Sequence, residues 1–166
     1  MQIFADQKIE RENPRESAGV KFVAAFPEPI LLNSPVMIEA FLVPEKTVAT
    51  AKGDGPALEV SSATTRVFLL NLGITDIIEQ ESIDVSIRGS RDGITFDPVP
   101  LASFEQKFYR GENPLLLDLT ANPEIKAIRA HWEVGRWGRG TETPMFEFCV
   151  TVREVPQEIL AEAARK

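Results

Sequence analysis

The amino-acid sequence predicts an all-β fold, an antiparallel β-sandwich or jelly-roll with an extended N-terminal arm and a short C-terminal helix. Short apolar runs recur about every ten residues between positions 57 and 155, as in sandwiches and barrels. Several runs alternate strictly between apolar and polar residues, which is the period of a strand with one buried face. A chain of 166 residues is long enough for one such domain.

The first 19 residues are polar and charged, and Pro14 and Gly19 interrupt them. This composition predicts an extended arm that becomes ordered only against a partner surface. The β-sandwich domain is predicted to span residues 20–155, with its core between 57 and 153. Residues 156–166 are predicted to form the C-terminal helix.

Two apolar stretches flanked by prolines lie between residues 20 and 43. Proline lacks a backbone N–H group, so these stretches are predicted to be edge strands. The segment 44–56, which contains the sequence AKGDGP, is predicted to be a linker.

The strongest strand signals follow in the segments ATTRVFLLNLG and SIDVSIRGS. The first is apolar almost throughout, which predicts burial on both faces or nearly so. The second alternates, with Ile83, Val85 and Ile87 directed to the core. Asp92-Gly93 then predicts a tight turn, because glycine readily adopts positive φ.

Further strands are predicted at Thr95–Val99, around Phe104–Tyr109, and in the run PLLLDL. The segments IKAIRAHWEV and MFEFCVTVREV alternate cleanly and predict two long strands near the end of the domain. The last segment, PQEILAEAARK, predicts a helix that begins at Pro156. A free helix of that length is marginal, so Ile159 and Leu160 are expected to dock on a protein surface.

Composition excludes some classes of function. The formal net charge of −7 argues against nucleic-acid binding and against adhesion to an anionic membrane. The N-terminus lacks the pattern of a secretory signal, and no run is long enough to span a bilayer, so a cytoplasmic location is expected. One cysteine and one histidine make a cysteine- or histidine-rich metal site impossible within one chain, and no cofactor motif is present.

No catalytic constellation is evident, and the protein is expected not to be an enzyme. His131 is interpreted as a solvated histidine on the polar face of a strand. Cys149 is interpreted as a packed, unreactive thiol. Asp92, Gly93 and Asp97 mildly resemble a calcium loop, but without the spacing of an EF-hand they are interpreted as a turn.

The glycine-rich segment 135–142 between the last two strands is the candidate binding site, with Arg136, Trp137 and Arg139 as contact residues. Trp and Arg are enriched in interface hot spots, and loops often carry the function of a rigid sandwich. Two interpretations remain open: the loop contacts a partner or ligand, or it is a hairpin whose Trp137 folds back on the sheet.

Three segments together resemble a pattern of small β-sandwich proteins of tailed phages and prophages. They are IDVSIRGSRDGITF, with Phe96 where the pattern has Trp; the strand with Arg129, Trp132, Val134 and Gly135; and PMFEFCV. The resemblance covers residues 57–153. It implies a non-enzymatic component of a virion or of a related assembly.

These observations predict a structural or assembly protein that forms a homo-oligomer or joins other subunits. The alternative is a carbohydrate-binding module, since an exposed Trp137 can stack on a sugar ring. The shortage of Tyr and Trp argues against that alternative.

Overall fold

The computed structural model describes residues 37–78, 81–136 and 143–166. Within these ranges the chain forms nine strands followed by one helix. In chain order, these elements are β1 (Glu39–Ala49), β2 (Gly53–Asp54), β3 (Leu58–Glu59), β4 (Val67–Ile77), β5 (Glu81–Ser90), β6 (Ala102–Ser103), β7 (Gly111–Asp118), β8 (Ala127–Arg136), β9 (Phe146–Glu154) and α1 (Gln157–Ala163).

The strands form two sheets. Sheet I has the order β1-β9-β4-β7, and sheet II has the order β2-β8-β5-β6, with β3 also paired to β8. All pairings between these strands are antiparallel. The predicted all-β, antiparallel sandwich with a short C-terminal helix is therefore confirmed.

The core lies between the two sheets and is built by alternation along the strands. In β5 the predicted inward residues Ile83, Val85 and Ile87 are all buried. In β9 the inward set is fully or almost fully buried, as the sequence pattern predicted. This set consists of Phe146, Phe148, Val150 and Val152.

Trp132 of β8 joins sheet II to sheet I. Its ring meets the ring of Phe148 edge to face, with 5.3 Å between the centroids. Leu42 and Val43 of β1 are also fully buried in this core, so the core begins N-terminal to the predicted range 57–153. Strand β1 is thus an integral part of the sandwich.

The predicted linker over residues 44–56 is wrong. Pro44 lies inside β1, and residues 53–54 form β2, which pairs with β8. Strand β1 is an edge strand, as predicted, and its register with β9 shifts twice between Phe41 and Thr47. A bulged edge strand can accommodate proline, because the lost N–H group faces no partner.

Three other strand predictions need correction. Strand β4 is not buried on both faces, because Leu69 is 38% exposed on the outer side of sheet I. Residues 95–99 and 104–109 do not form strands, and isolated bridges pair Ser90 with Phe96 and Ile83 with Lys107 instead. An apolar sequence alone does not distinguish a strand covered on both sides from one that presents an apolar outer face.

Helix α1 begins directly after Pro156 and has Glu158 in its first turn, as predicted. Leu160 is partly buried, whereas Ile159 is 54% exposed and does not dock on the domain itself. Docking of Ile159 on a neighbouring molecule stays a prediction. The predicted arm over residues 1–19 and the first apolar stretch after it lie outside the described residues.

Candidate functional site

The predicted contact residues lie where β8 leaves sheet II. Arg136 is the last residue of β8, is exposed, and is opposite Glu81 of β5 in the register. Trp137 and Arg139 lie outside the described residues, so the choice between a binding loop and a folded-back Trp137 stays a prediction. Met145, which directly precedes β9, is anchored to sheet II, because its backbone N–H donates a hydrogen bond to the buried carboxylate of Glu81 at 2.8 Å.

The outer face of sheet I, which we call the apolar face, has two rows of side chains that cross all four strands. In the first row, the strand register places four residues side by side across the sheet, in the order Glu39, Arg153, Leu69 and Leu116. The exposed fraction of Leu116 is 61%. The row therefore has two leucines at one end and an acid beside a base at the other.

The second row of the apolar face runs from Phe41 through Thr151 and Asn71 to Pro114. Phe41 is 46% exposed. A groove of about 590 Å³ runs between the two rows and is lined by Phe41, Leu69, Pro114 and Arg153, among others. Exposed apolar side chains that form a continuous patch with a polar rim are typical of protein interfaces.

The apolar face was not predicted from the sequence. Leu69 was assigned to a strand buried on both sides, and Leu116 belongs to a run of three leucines that has no clear alternation. Only the cross-strand register brings Leu69, Leu116 and Phe41 to one surface, and that register joins residues far apart in the chain.

Cys149 lies on the same outer face of sheet I, between Phe148 and Val150, whose side chains point to the core. Its thiol is half-buried, and burial raises its pKa, with a further upward contribution from the carboxylates of Glu112 and Glu45. A thiol with a raised pKa stays protonated at neutral pH and is a poor nucleophile. This environment agrees with the interpretation of Cys149 as a packed, unreactive thiol.

The outer face of sheet II is polar and carries the only histidine of the chain. His131 was expected to be solvated, but its side chain is only 11% exposed. Its Nδ1 lies 2.8 Å from Asp54 Oδ1, and its Nε2 lies 3.3 Å from Glu133 Oε1. Asp54 comes from the segment that was predicted to be a linker, and no feature of the sequence indicated that this residue would pack against His131.

Two arginines lie next to this histidine. Arg88 of β5 and Arg129 of β8 are directly opposite each other in the register. The guanidinium of Arg129 contacts Asp54 at 3.2 Å and lies over the ring of Phe96, 4.3 Å from its centroid. Arg88 is half-buried and lines a cavity of about 240 Å³ together with His131.

The Asp92 turn is confirmed as a turn. Asp92 Oδ1 accepts hydrogen bonds from Ser90 Oγ and from the backbone N–H groups of Ile94 and Thr95, at 2.7–2.8 Å. These bonds hold the pKa of Asp92 far below its usual value. Gly93 has φ of 81°, as the Asp-Gly sequence predicted.

A second cavity, of about 510 Å³, lies beside this turn. Its lining combines the ring of Phe96 with the polar side chains of Asp97, Asn122 and Glu124. In the described ranges, no three His, Cys, Asp or Glu side chains come together in a way that would hold a metal ion. Within the same ranges, no helix has the length and apolar character needed to cross a membrane.

Comparison with known proteins adds no relative. No protein-family model, no curated protein and no solved structure matches the chain.

Proposed function

We propose that this protein is a non-enzymatic structural subunit that self-associates through the apolar face of sheet I. The observation that supports the proposal is the exposure of Phe41, Leu69 and Leu116 on one face of sheet I, together with the groove that Phe41 and Leu69 line. Exposed patches of this kind are costly in water, and in soluble proteins they mark surfaces that another molecule covers.

A second copy of the chain is the partner that this face fits best. Glu39 and Arg153 are neighbours in one row of the face, so the surface carries both charges next to its apolar patch. In a two-fold symmetric contact, each copy presents the same acid, base and apolar groups to the other, and the acid of one copy meets the base of its partner. The exposed Ile159 on α1 adds an apolar group outside the sheet.

Replacement of Leu116 by Glu tests the proposal, because it places a charge at the apolar end of the first row, beside Leu69. Sedimentation velocity of the full chain at about 100 µM is expected to give an oligomer for the wild type and a single chain for Leu116→Glu, since micromolar association corresponds to about 8 kcal/mol. Ile94→Glu is the control, because Ile94 is 84% exposed on the Asp92 turn. A monomeric wild type, or an oligomer that Leu116→Glu leaves intact, would contradict the proposal.

The resemblance of residues 57–153 to β-sandwich proteins of tailed phages and prophages supports a more specific form of the proposal. In that form, the subunit decorates a virion or a related assembly and contacts other subunits as well as copies of itself. Only the motifs of the sequence support this part.

A carbohydrate-binding module is the second candidate, and the cavity beside the Asp92 turn favours it. Phe96 offers an aromatic ring, and Asp97, Asn122 and Glu124 offer hydrogen-bonding groups, which together suit a sugar. A glycan array with Phe96→Ala as the comparison tests this function. Glycan binding that depends on Phe96 would support it, and an array without any binding would count against it.

A further inference from the structure

The two cross-strand arginines of sheet II differ in how their charges are compensated. Like charges that are directly opposite each other in a sheet repel and destabilise the pair. Arg129 is neutralised by Asp54 and stacks on Phe96. Among the described residues, none forms a hydrogen bond or an ion pair with Arg88. The buried Nε atoms of Arg88 and Arg129 both lack an acceptor there, so the difference between the two arginines is the ion pair with Asp54. The charge of the half-buried Arg88 guanidinium is uncompensated, and an anion paired with that guanidinium would compensate it.

The surroundings of Arg88 form a cavity rather than an open surface. Its volume is about 240 Å³. Ser86 and Ser103 contribute hydroxyl groups to the lining, and the ring of His131 forms part of its wall. The cavity lies on the outer face of sheet II, on the opposite side of the sandwich from the apolar face. It therefore remains open in the association proposed above.

The other charged groups of the lining restrict the ligand. Asp84 and Glu133 are opposite each other, four residues along the strands from the arginine pair. Asp84 accepts a hydrogen bond from Gln106 at 2.8 Å, and Glu133 lies within 3.3 Å of the His131 ring. These two carboxylates repel a multiply charged anion but attract a cationic or hydrogen-donating group on the same ligand.

We propose that the cavity between Arg88, His131 and Glu133 binds a small carboxylate that also carries an amino or hydroxyl group. The carboxylate pairs with the guanidinium of Arg88, whose planar fork suits a carboxylate. The donor group of the ligand faces Asp84 and Glu133. This binding site is independent of self-association and needs no chemical step.

Chemical-shift titration of the isotope-labelled full chain, followed at its backbone amides, tests the site with three probes: 4-aminobutanoate, acetate and inorganic phosphate. Binding is expected in the millimolar range, strongest for 4-aminobutanoate, weaker for acetate and weakest for phosphate. Arg88→Gln is expected to weaken 4-aminobutanoate binding about tenfold or more, the ratio that follows from loss of a hydrogen bond to a charged group. Arg88→Lys keeps the positive charge but loses the planar guanidinium group, and it is expected to bind 4-aminobutanoate with an intermediate affinity.

Arg91→Gln is the matched control, because Arg91 is 74% exposed, contacts Glu124 at 3.9 Å, and does not line this cavity. It is expected to bind all three probes as the wild type does. Circular dichroism of each variant establishes that the fold is intact. The proposal is overturned if no probe binds at about 50 mM, if phosphate binds most tightly, or if folded Arg88→Gln binds 4-aminobutanoate as the wild type does.

Discussion

A single carbon atom added at Gly53 is expected to disturb the core, because it would collide with Trp132. A Cβ atom at Gly53 would lie 2.6 Å from Cζ2 of Trp132. The indole ring cannot move away easily, because it is 9% exposed and packs edge to face against Phe148. The absence of a side chain at position 53 is therefore a condition for the contact between the two sheets.

Gly53→Ala is expected to lower the free energy of unfolding by about 1–3 kcal/mol, the usual cost of overpacking a core. Urea unfolding followed by tryptophan fluorescence measures the change. Gly73→Ala is the control, because the atoms nearest to an added Cβ there belong to the carboxylate of Glu112, which is exposed and able to move. Equal stability of the two variants would show that Trp132 does not constrain position 53.

Glu154 is a buried carboxylate that ties three segments together. Its oxygens accept hydrogen bonds from the backbone N–H groups of Thr65 at 2.6 Å and Ile38 at 3.3 Å. Burial, the largest single effect, raises the pKa of Glu154, but these hydrogen bonds together outweigh it and leave the pKa below its ordinary value of 4.5. A carboxylate with a lowered folded-state pKa contributes stability above pH 4.5, and that contribution is lost as the pH falls through the folded-state pKa.

Glu154→Gln is expected to lower the free energy of unfolding by about 1–3 kcal/mol at neutral pH, since a charged acceptor of buried hydrogen bonds is lost. The difference from the wild type is expected to shrink as the pH falls from 4.5 through the lowered folded-state pKa, because the wild-type carboxylate of the folded protein becomes protonated there. Urea unfolding across this pH range is the measurement, with the exposed Glu158→Gln as control. A difference that does not depend on pH would contradict this role of the charge.

The sequence predicted which side chains of β5, β8 and β9 point inward, because strand alternation is a local property. It did not predict the environment of His131. The polar face of β8 was identified correctly, but the partner Asp54 lies 77 residues away. Alternation tells which face a residue occupies, whereas only strand pairing tells what covers that face.

Among the elements, the turn after β5 depends most on one side chain. Asp92 accepts three hydrogen bonds in this turn, whereas Asp97 accepts one from the backbone N–H of Val99 at 3.0 Å. Asp92→Ala is expected to destabilise the turn because three hydrogen bonds to a charged acceptor are lost, and Asp97→Ala is expected to destabilise it less. Amide hydrogen exchange at Ile94 and Thr95 reports the loss directly. Unchanged exchange at these two amides in Asp92→Ala would show that Gly93 alone holds the turn.

The edge strands were only partly predictable from the sequence. The prolines around β1 correctly indicated an edge strand, but Pro44 was taken as its end. The bulged pairing with β9 carries the strand past this proline to Ala49. Short edge strands such as β2 and β6 have two residues each, too few for any alternation to be visible in the sequence.

The two sheets of the sandwich have outer faces of different chemical character. Sheet I carries the apolar patch with Leu69 and Leu116, and sheet II carries the charged cluster around His131. This asymmetry supports a subunit that associates through one sheet and leaves the other open. It arises from antiparallel strand register, which collects side chains that are scattered along the chain.

Cys149 provides the most direct test of self-association through sheet I, because it is the only cysteine of the chain and lies on the outer face of that sheet. The measurement is the rate of Cys149 alkylation by iodoacetamide at about 1 µM and about 200 µM protein, concentrations that bracket micromolar association. It is made at alkaline pH, because the raised pKa keeps this thiol protonated and slow to react at neutral pH. We expect slower alkylation at the higher concentration, and no such change in Leu116→Glu. The same rate at both concentrations, in samples that sediment as an oligomer, would show that association uses another surface.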